Sequence, residues 1–184
     1  MSDPRYNTRR VSDTPANKIE AFGDPSKDPR VVTFLRRAIE LSEQGMSDGF
    51  GGPFGAVVVK ADRIVGEGFN RVLHDNDPTA HAEVVAIRHA CAHLNTFDLS
   101  GCEVFASSQP CPMCLAAIYW ARASKVYFAN TIADAATIGF DDSFFYDELR
   151  LPLGGRTLPQ IHVVVPEAIK AFNLWGAMAN RRAY

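Results

Sequence analysis

Two short segments hold the residue types that can do chemistry: His81-Ala82-Glu83 in one and Pro110-Cys111-Pro112-Met113-Cys114 in the other. An imidazole and two sulfurs form a donor set suited to zinc, and a carboxylate lies two residues beyond the histidine. Cys111 and Cys114 are three apart, which on a helix puts both sulfurs on one face, where they can meet a single ion. Three protein ligands leave the fourth tetrahedral position open to water, as in a catalytic rather than a closed structural site. Zinc held in this way lowers the pKa of its water from about 16 toward about 7, so hydroxide forms near neutrality. Glu83 is not needed to hold the ion, and it is placed to take the water's proton and pass it to a leaving group. Two plainer readings remain beside this one: a Cys-x-x-Cys redox pair, or half of a structural zinc site. No second close Cys pair completes a structural site, and His74, His89, His93 and His162 form no evident ligand pair with Cys91 or Cys102.

The elements that must position these groups follow from the hydrophobic pattern. Asp28 can cap a helix opening at Pro29, with Val31, Leu35, Ala38 and Ile39 recurring at helical spacing until Gly45. Phe54 to Lys60 and Arg63 to Phe69 are short apolar or alternating runs split by Ala61-Asp62, a hairpin pattern. Val84, Ile87, Cys91 and Leu94 give a helical stripe that begins at His81. Strands are predicted at Glu103 to Ala106, Lys125 to Ala129 and Ile161 to Val165. Between the first two of these lies a buried helix, Pro112 to Ala121, apolar nearly all round. After the third, Pro166 opens a helix carrying Ile169, Phe172, Trp175 and Ala179. The resulting order implies an α/β fold, a mixed sheet covered by helices on both faces. Both chemical segments then sit at helix starts, where unpaired N–H groups and the positive end of the dipole favour thiolate over thiol.

Composition narrows the setting. With 184 residues, 47% of them hydrophobic, the chain can bury one sizeable core. A net charge of −2 supplies no general attraction for nucleic acid or an anionic membrane, so a small-molecule substrate is expected. The chain has no apolar run long enough to span a bilayer, and MSDPRYNTRRVSD lacks the apolar stretch of a secretory signal, so a cytoplasmic location is expected. In that reducing compartment Cys-x-x-Cys reads as a metal clamp, with Cys91 and Cys102 as core residues. Residues 1–28 are polar and lack an apolar period, which is expected of an N-terminal arm, ordered at most as an extension or else a disordered tail, before a catalytic domain over 29–184.

His-x-Glu followed by Pro-Cys-x-x-Cys is the pattern of zinc-dependent nucleobase deaminases. The motifs HAEV (His81 to Val84) and PCPMC (Pro110 to Cys114) resemble the cytidine-deaminase-like superfamily. Within it, Gly51 to Val59, Asn76 to Val84, Pro110 to Arg122, Gly139 to Phe144 and the final Tyr184 are similar to bacterial guanine deaminases. The resemblance implies a three-layer α-β-α fold around a central mixed five-stranded sheet, and one zinc ion per subunit on His81, Cys111 and Cys114. It implies Glu83 as proton shuttle, Asn70 as a purine hydrogen-bonding residue, the Ala82 N–H as a donor to the substrate carbonyl, and Phe54 as the wall on which the base packs. Asp142 would recognise the amino end of guanine and assist proton transfer. The C-terminal segment would cross to a second subunit in a domain-swapped homodimer, where Tyr184 closes the partner's pocket. Read without the family, Phe54 is a core residue, Asp141-Asp142 a solvated turn and Tyr184 a frayed end. Gln109 stands where such enzymes commonly have Glu, which removes a carboxylate beside the metal.

The expected reaction is hydrolytic deamination of guanine to xanthine and ammonia. Alternatives are a guanosine or amino-triazine deaminase, and a tRNA adenosine deaminase, which would need a basic surface. A non-enzymatic zinc module is the last, and the presence of Glu83 argues against it.

Overall fold

The computed structural model describes residues 24–182, so most of the expected N-terminal arm, and Tyr184 with it, lies outside the described residues. The chain divides into two compact units, 1–33 and 34–184. In the described part of the first, Asp24 caps a short 3-10 turn, Pro25–Lys27, by accepting the Ser26 N–H at 3.1 Å. Asp28 accepts the Arg30 N–H at 2.9 Å and so caps helix α1, Pro29–Ser47, with proline at its first position as the sequence predicts.

The second unit is built on a hairpin of β1 (Gly55–Lys60) and β2 (Arg63–Phe69). Its two turn residues, Ala61 and Asp62, are both left-handed, with φ of 46° and 60°. That turn matches the twist of the paired strands. On its other side β1 pairs antiparallel with β3 (Cys102–Ser108), and β3 pairs parallel with β4 (Lys125–Asn130), for a strand order β2-β1-β3-β4. The parallel pair needs a crossover, which helix α4 (Pro112–Trp120) supplies.

Strand alternation divides the core into two layers. Ala56, Val58, Val104 and Ala106 join Ala82, Ala86 and Ala90 of helix α3 (Ala82–Leu94) and Ile118 of α4 in one buried cluster. The opposite face carries Val57 and Phe105, which are register partners, and the Phe105 ring lies 5.1 Å from Phe34 of α1 and 4.8 Å from Tyr127 of β4. Helices therefore cover both faces, and the three-layer arrangement is the expected one. On β2, a Cβ at Gly68 would stand 2.5 Å from the Ala82 carbonyl oxygen and one at Gly66 2.3 Å from that of Ala86. Without side chains at these two positions the α3 backbone lies directly on the strand, which fixes the depth of its first turn.

The sheet has four strands rather than five. Ile161 to Val165 has the composition of a strand but pairs with nothing among the described residues, and Ile161, Val163, Val164 and Val165 are 83%, 70%, 77% and 52% exposed. A strand needs a free edge to satisfy its N–H and C=O groups. Among the described residues β4 offers such an edge, but the segment does not lie along it. The connection after β4 holds two helices, α5 (Ile132–Thr137), opened by a Thr131–Asp134 capping box, and α6 (Ser143–Arg150). A four-residue helix, α2 (Val72–Asp75), follows the hairpin, and α7 (Ile169–Ala177) follows Pro166 as predicted. Among the described residues no helix is long and apolar enough to cross a membrane.

Candidate active site

His81 occupies the N-cap of α3 and Cys111 the N-cap of α4, yet neither side chain caps its helix. Each points at the other instead. His81 Nδ1 lies 3.6 Å from Cys111 Sγ and 3.5 Å from Cys114 Sγ, and the three donor atoms fall within 4.8 Å of one another. Zn–N and Zn–S bonds of about 2.1 and about 2.3 Å at a tetrahedral angle put two donors about 3.6 Å apart, so this donor set has the spacing zinc requires. Pro112 suits the first turn of α4, where its missing N–H leaves no acceptor unpaired.

The two thiols titrate in opposite directions. Cys111 is drawn down to about 4, first by the Cys114 thiol hydrogen bond and then by His81, against the opposing effect of burial. Cys114 is pushed up by the same hydrogen bond, with burial and the Glu83 charge adding to it. Glu83, in the first turn of α3, is buried, and burial raises its carboxyl above the ordinary range.

A cavity of about 250 Å³ opens beside these groups and brings Phe54, Asn70, His81, Glu83, Cys111 and Asp142 to one wall system. Ala82 is buried at the start of α3, where helix geometry leaves its N–H without an intrahelical acceptor. Asn70 is 5% exposed and its Oδ1 accepts the Val72 N–H at 3.2 Å. Because Val72 N–H is a donor, the atom it meets must be the amide oxygen, and Asn70 itself lines the cavity. A Cβ at Gly51 would stand 2.1 Å from that oxygen, so glycine there lets the amide sit where it does.

The Asp141-Asp142 pair is divided by its turn. Asp141 accepts the Ser143 N–H at 3.0 Å and the Ser143 hydroxyl as well, which closes the turn into α6. Asp142 makes no such cap, lines the cavity, and has its pKa raised by burial and then by the negative charge of Cys111. Tyr184 lies outside the described residues.

Several lining residues carried no signal of their own in the sequence. Phe140 meets Phe54 edge-on, with centroids 4.9 Å apart and planes at 89°. Pro78 and Ser107 also line the cavity, and Ser107 Oγ accepts the Gly55 N–H at 2.9 Å. Of these, Phe140 was within reach, since it precedes Asp141 in the GFDD segment. Gln109 lines the cavity too, and its N–H ties the end of β3 to the Asn130 carbonyl at 2.8 Å.

A His-Cys-Cys clamp at two helix starts, with a buried acid on the same small cavity, defines a zinc hydrolase of the deaminase type. Residues 30–130 match the family described as the cytidine and deoxycytidylate deaminase zinc-binding region, and the chain belongs to that family. It is 50% identical over 152 residues to the guanine deaminase of Bacillus subtilis, a match covering 83% of this chain and 97% of that protein. The crystal structure of the Bacillus subtilis enzyme superposes with a TM-score of 0.81 over 83% of this chain and 98% of that one. A guanine deaminase structure from Nitrosomonas europaea, 32% identical, gives 0.58 over 62% of this chain and 65% of that one. The tRNA-specific adenosine deaminase of Aquifex aeolicus is 41% identical over 96 residues, covering 52% of this chain and 63% of that protein.

Proposed function

We propose that this chain hydrolyses guanine to xanthine and ammonia. The observation that carries the reading is the shared cavity, in which Asn70, Glu83 and Asp142 face the His81-Cys111-Cys114 clamp. The similarity to the Bacillus subtilis guanine deaminase over nearly all of that enzyme supports the choice of substrate.

Bound by His81, Cys111 and Cys114, zinc supplies Lewis acidity and a nucleophile near neutral pH. Phe54 and Phe140 pack on the purine and exclude water from it. The Asn70 Nδ2 donates to an acceptor on the base, and the Ala82 N–H donates to the substrate carbonyl oxygen. Glu83 takes a proton from the attacking water as the C–O bond forms at the carbon bearing the amine. It then returns that proton to the departing nitrogen as the C–N bond breaks, so water and guanine become xanthine and ammonia. Asp142 accepts from the amino group and assists its protonation. Gln109 keeps the wall beside Cys111 neutral, and the thiolate ligands suit a reducing, cytoplasmic setting.

The working unit in this reading is a homodimer with exchanged C-terminal segments. The open edge of β4, the unpaired Ile161 to Val165, and Phe172 and Leu174 of α7, 75% and 69% exposed, support it, since exposed apolar strands call for a partner. Tyr184 of a second copy would then close the cavity. Light scattering should give twice the chain mass, and a monomer at working concentration would refute the exchange. The substrate is tested by ammonia release from zinc-loaded protein offered guanine, guanosine, adenine, cytosine, cytidine, aminotriazines and a structured RNA. Release from guanine is expected, and release from RNA alone would overturn the reading.

A further inference from the structure

Asp142 sits at the N-terminus of α6, a short helix with Phe144, Phe145 and Leu149 exposed at 48%, 52% and 58%. These apolar side chains are not what docks it. Asp142 and Tyr146 are four apart and share a face. Both are half-buried, whereas Asp141, Ser143, Phe144, Phe145 and Asp147 are exposed. The Tyr146 hydroxyl donates to the Pro110 carbonyl oxygen at 2.8 Å, and the Tyr146 N–H donates to the Asp142 carbonyl at 3.3 Å. One hydrogen-bonded path therefore runs from the residue before Cys111, through Tyr146, to the backbone of Asp142. Tyr146 also lies close enough to Cys111 and Asp142 for their charges to raise its phenol, after burial.

We propose that Tyr146 is a positioning residue for substrate recognition: its hydroxyl holds the first turn of α6 against the Cys111 loop, and so sets the distance between the Asp142 carboxylate and the metal clamp. The proposal rests on the reading that Asp142 contacts the amino end of the base. A misplacement of about 1 Å in such a group costs about 100-fold when it belongs to the reacting constellation, so one tether has leverage. A merely structural tyrosine, by contrast, would change stability and leave the substrate contacts to relax independently.

The test is a double-mutant cycle of Tyr146→Phe and Asp142→Ala on kcat/KM for ammonia release, with zinc content and Tm measured on every variant. Tyr146→Phe keeps the ring and removes the hydroxyl. It should lower kcat/KM about tenfold, mainly through KM, with one zinc per subunit retained and Tm nearly unchanged. Asp142→Ala should lose more, and the double variant should be no worse than Asp142→Ala alone, because the tether acts through that carboxylate. Multiplicative losses would overturn the proposal, as would wild-type kinetics for Tyr146→Phe. Loss of zinc or a lowered Tm in Tyr146→Phe would also overturn it, by showing that the hydroxyl serves the metal loop. Wild-type kinetics for Asp142→Ala would instead sink the role given to Asp142, and the tether with it.

Discussion

Replacing Glu83 by glutamine should move activity and stability in opposite directions. The side chain is only 7% exposed, is not needed as a ligand, and lies on the cavity wall with His81 and Cys111. Glutamine keeps its shape but can neither take nor return a proton. Each proton transfer is worth about 10²–10⁴ in rate, and in the proposed mechanism Glu83 serves both, so kcat should fall by at least about 10⁴, or about 5.5 kcal/mol of barrier. Zinc content should stay at one per subunit. In the metal-free protein, burial of a carboxyl that prefers water is removed, and a gain of about 1 kcal/mol raises Tm by about 2–4 °C. The sign with pH follows. Because burial raises this carboxyl, the unfolded chain gives up its proton first, and the wild type loses stability as pH rises above the ordinary value of 4.5. The gap in favour of glutamine should therefore widen with pH until the folded-state value is passed. Single-turnover ammonia release and melts of metal-free protein across that range measure both effects. A zinc-loaded Glu83→Gln protein within tenfold of wild-type kcat would refute the shuttle, and a metal-free variant less stable than wild type would refute the burial argument.

Other perturbations separate the scaffold from the chemistry. Chelation should abolish turnover and lower Tm, both restored by zinc; at free zinc about 1,000 times Kd the stabilisation is about 4 kcal/mol, and activity surviving exhaustive chelation would exclude a metal mechanism. Gly68→Ala forces a Cβ to within 2.5 Å of the Ala82 carbonyl, so it should cost about 1–3 kcal/mol in a denaturant titration and lower kcat/KM as α3 lifts. Arg37 holds the Glu67 carboxylate through bonds of 2.7 and 3.0 Å and depresses its pKa. That stability is present above pH 4.5 and is lost as pH falls through the lowered value. The pair is more than a third exposed, so Arg37→Met should cost less than about 1 kcal/mol at pH 7 and nothing once the carboxylate is protonated. A deficit that persists into strong acid would point to lost packing instead.

What the sequence made legible was local. His81 with Glu83, and Cys111 with Cys114, lie within single turns of helices whose starts are marked by the onset of an apolar stripe and by Pro112, so spacing alone makes each pair legible, while tertiary packing joins the two. The hairpin at Ala61-Asp62 was legible for the same reason. Asp141 and Asp142, in contrast, are the same residue type side by side, and only the turn that engages Asp141 with Ser143 frees the other. The orientation of the Asn70 amide depends on Val72 and Gly51, nineteen residues away in the second case, counting from 51 to 70. Ile161 to Val165 shows a different limit: β propensity is written in the residues, but whether a sheet edge will receive them is not. Helix α6 spans only eight residues, fewer than the window over which a helical period separates from a short apolar run.

The clamp that joins two helix starts is also a crosslink in the polymer sense. His81 and Cys111 are 30 residues apart, and between them run all of α3 and β3. Tying the ends of a segment of that length removes loop entropy from the unfolded chain worth about 3–4 kcal/mol if the tie persists there, by the reasoning applied to disulfides. A metal that binds only the folded chain makes no such tie, so its stabilisation follows free zinc rather than loop length. Zinc scarcity then acts on lifetime as well as on rate, since a chain without its ion unfolds more often and is open to proteases each time it does. The amount of enzyme in a cell, and not only its turnover, would follow the zinc supply.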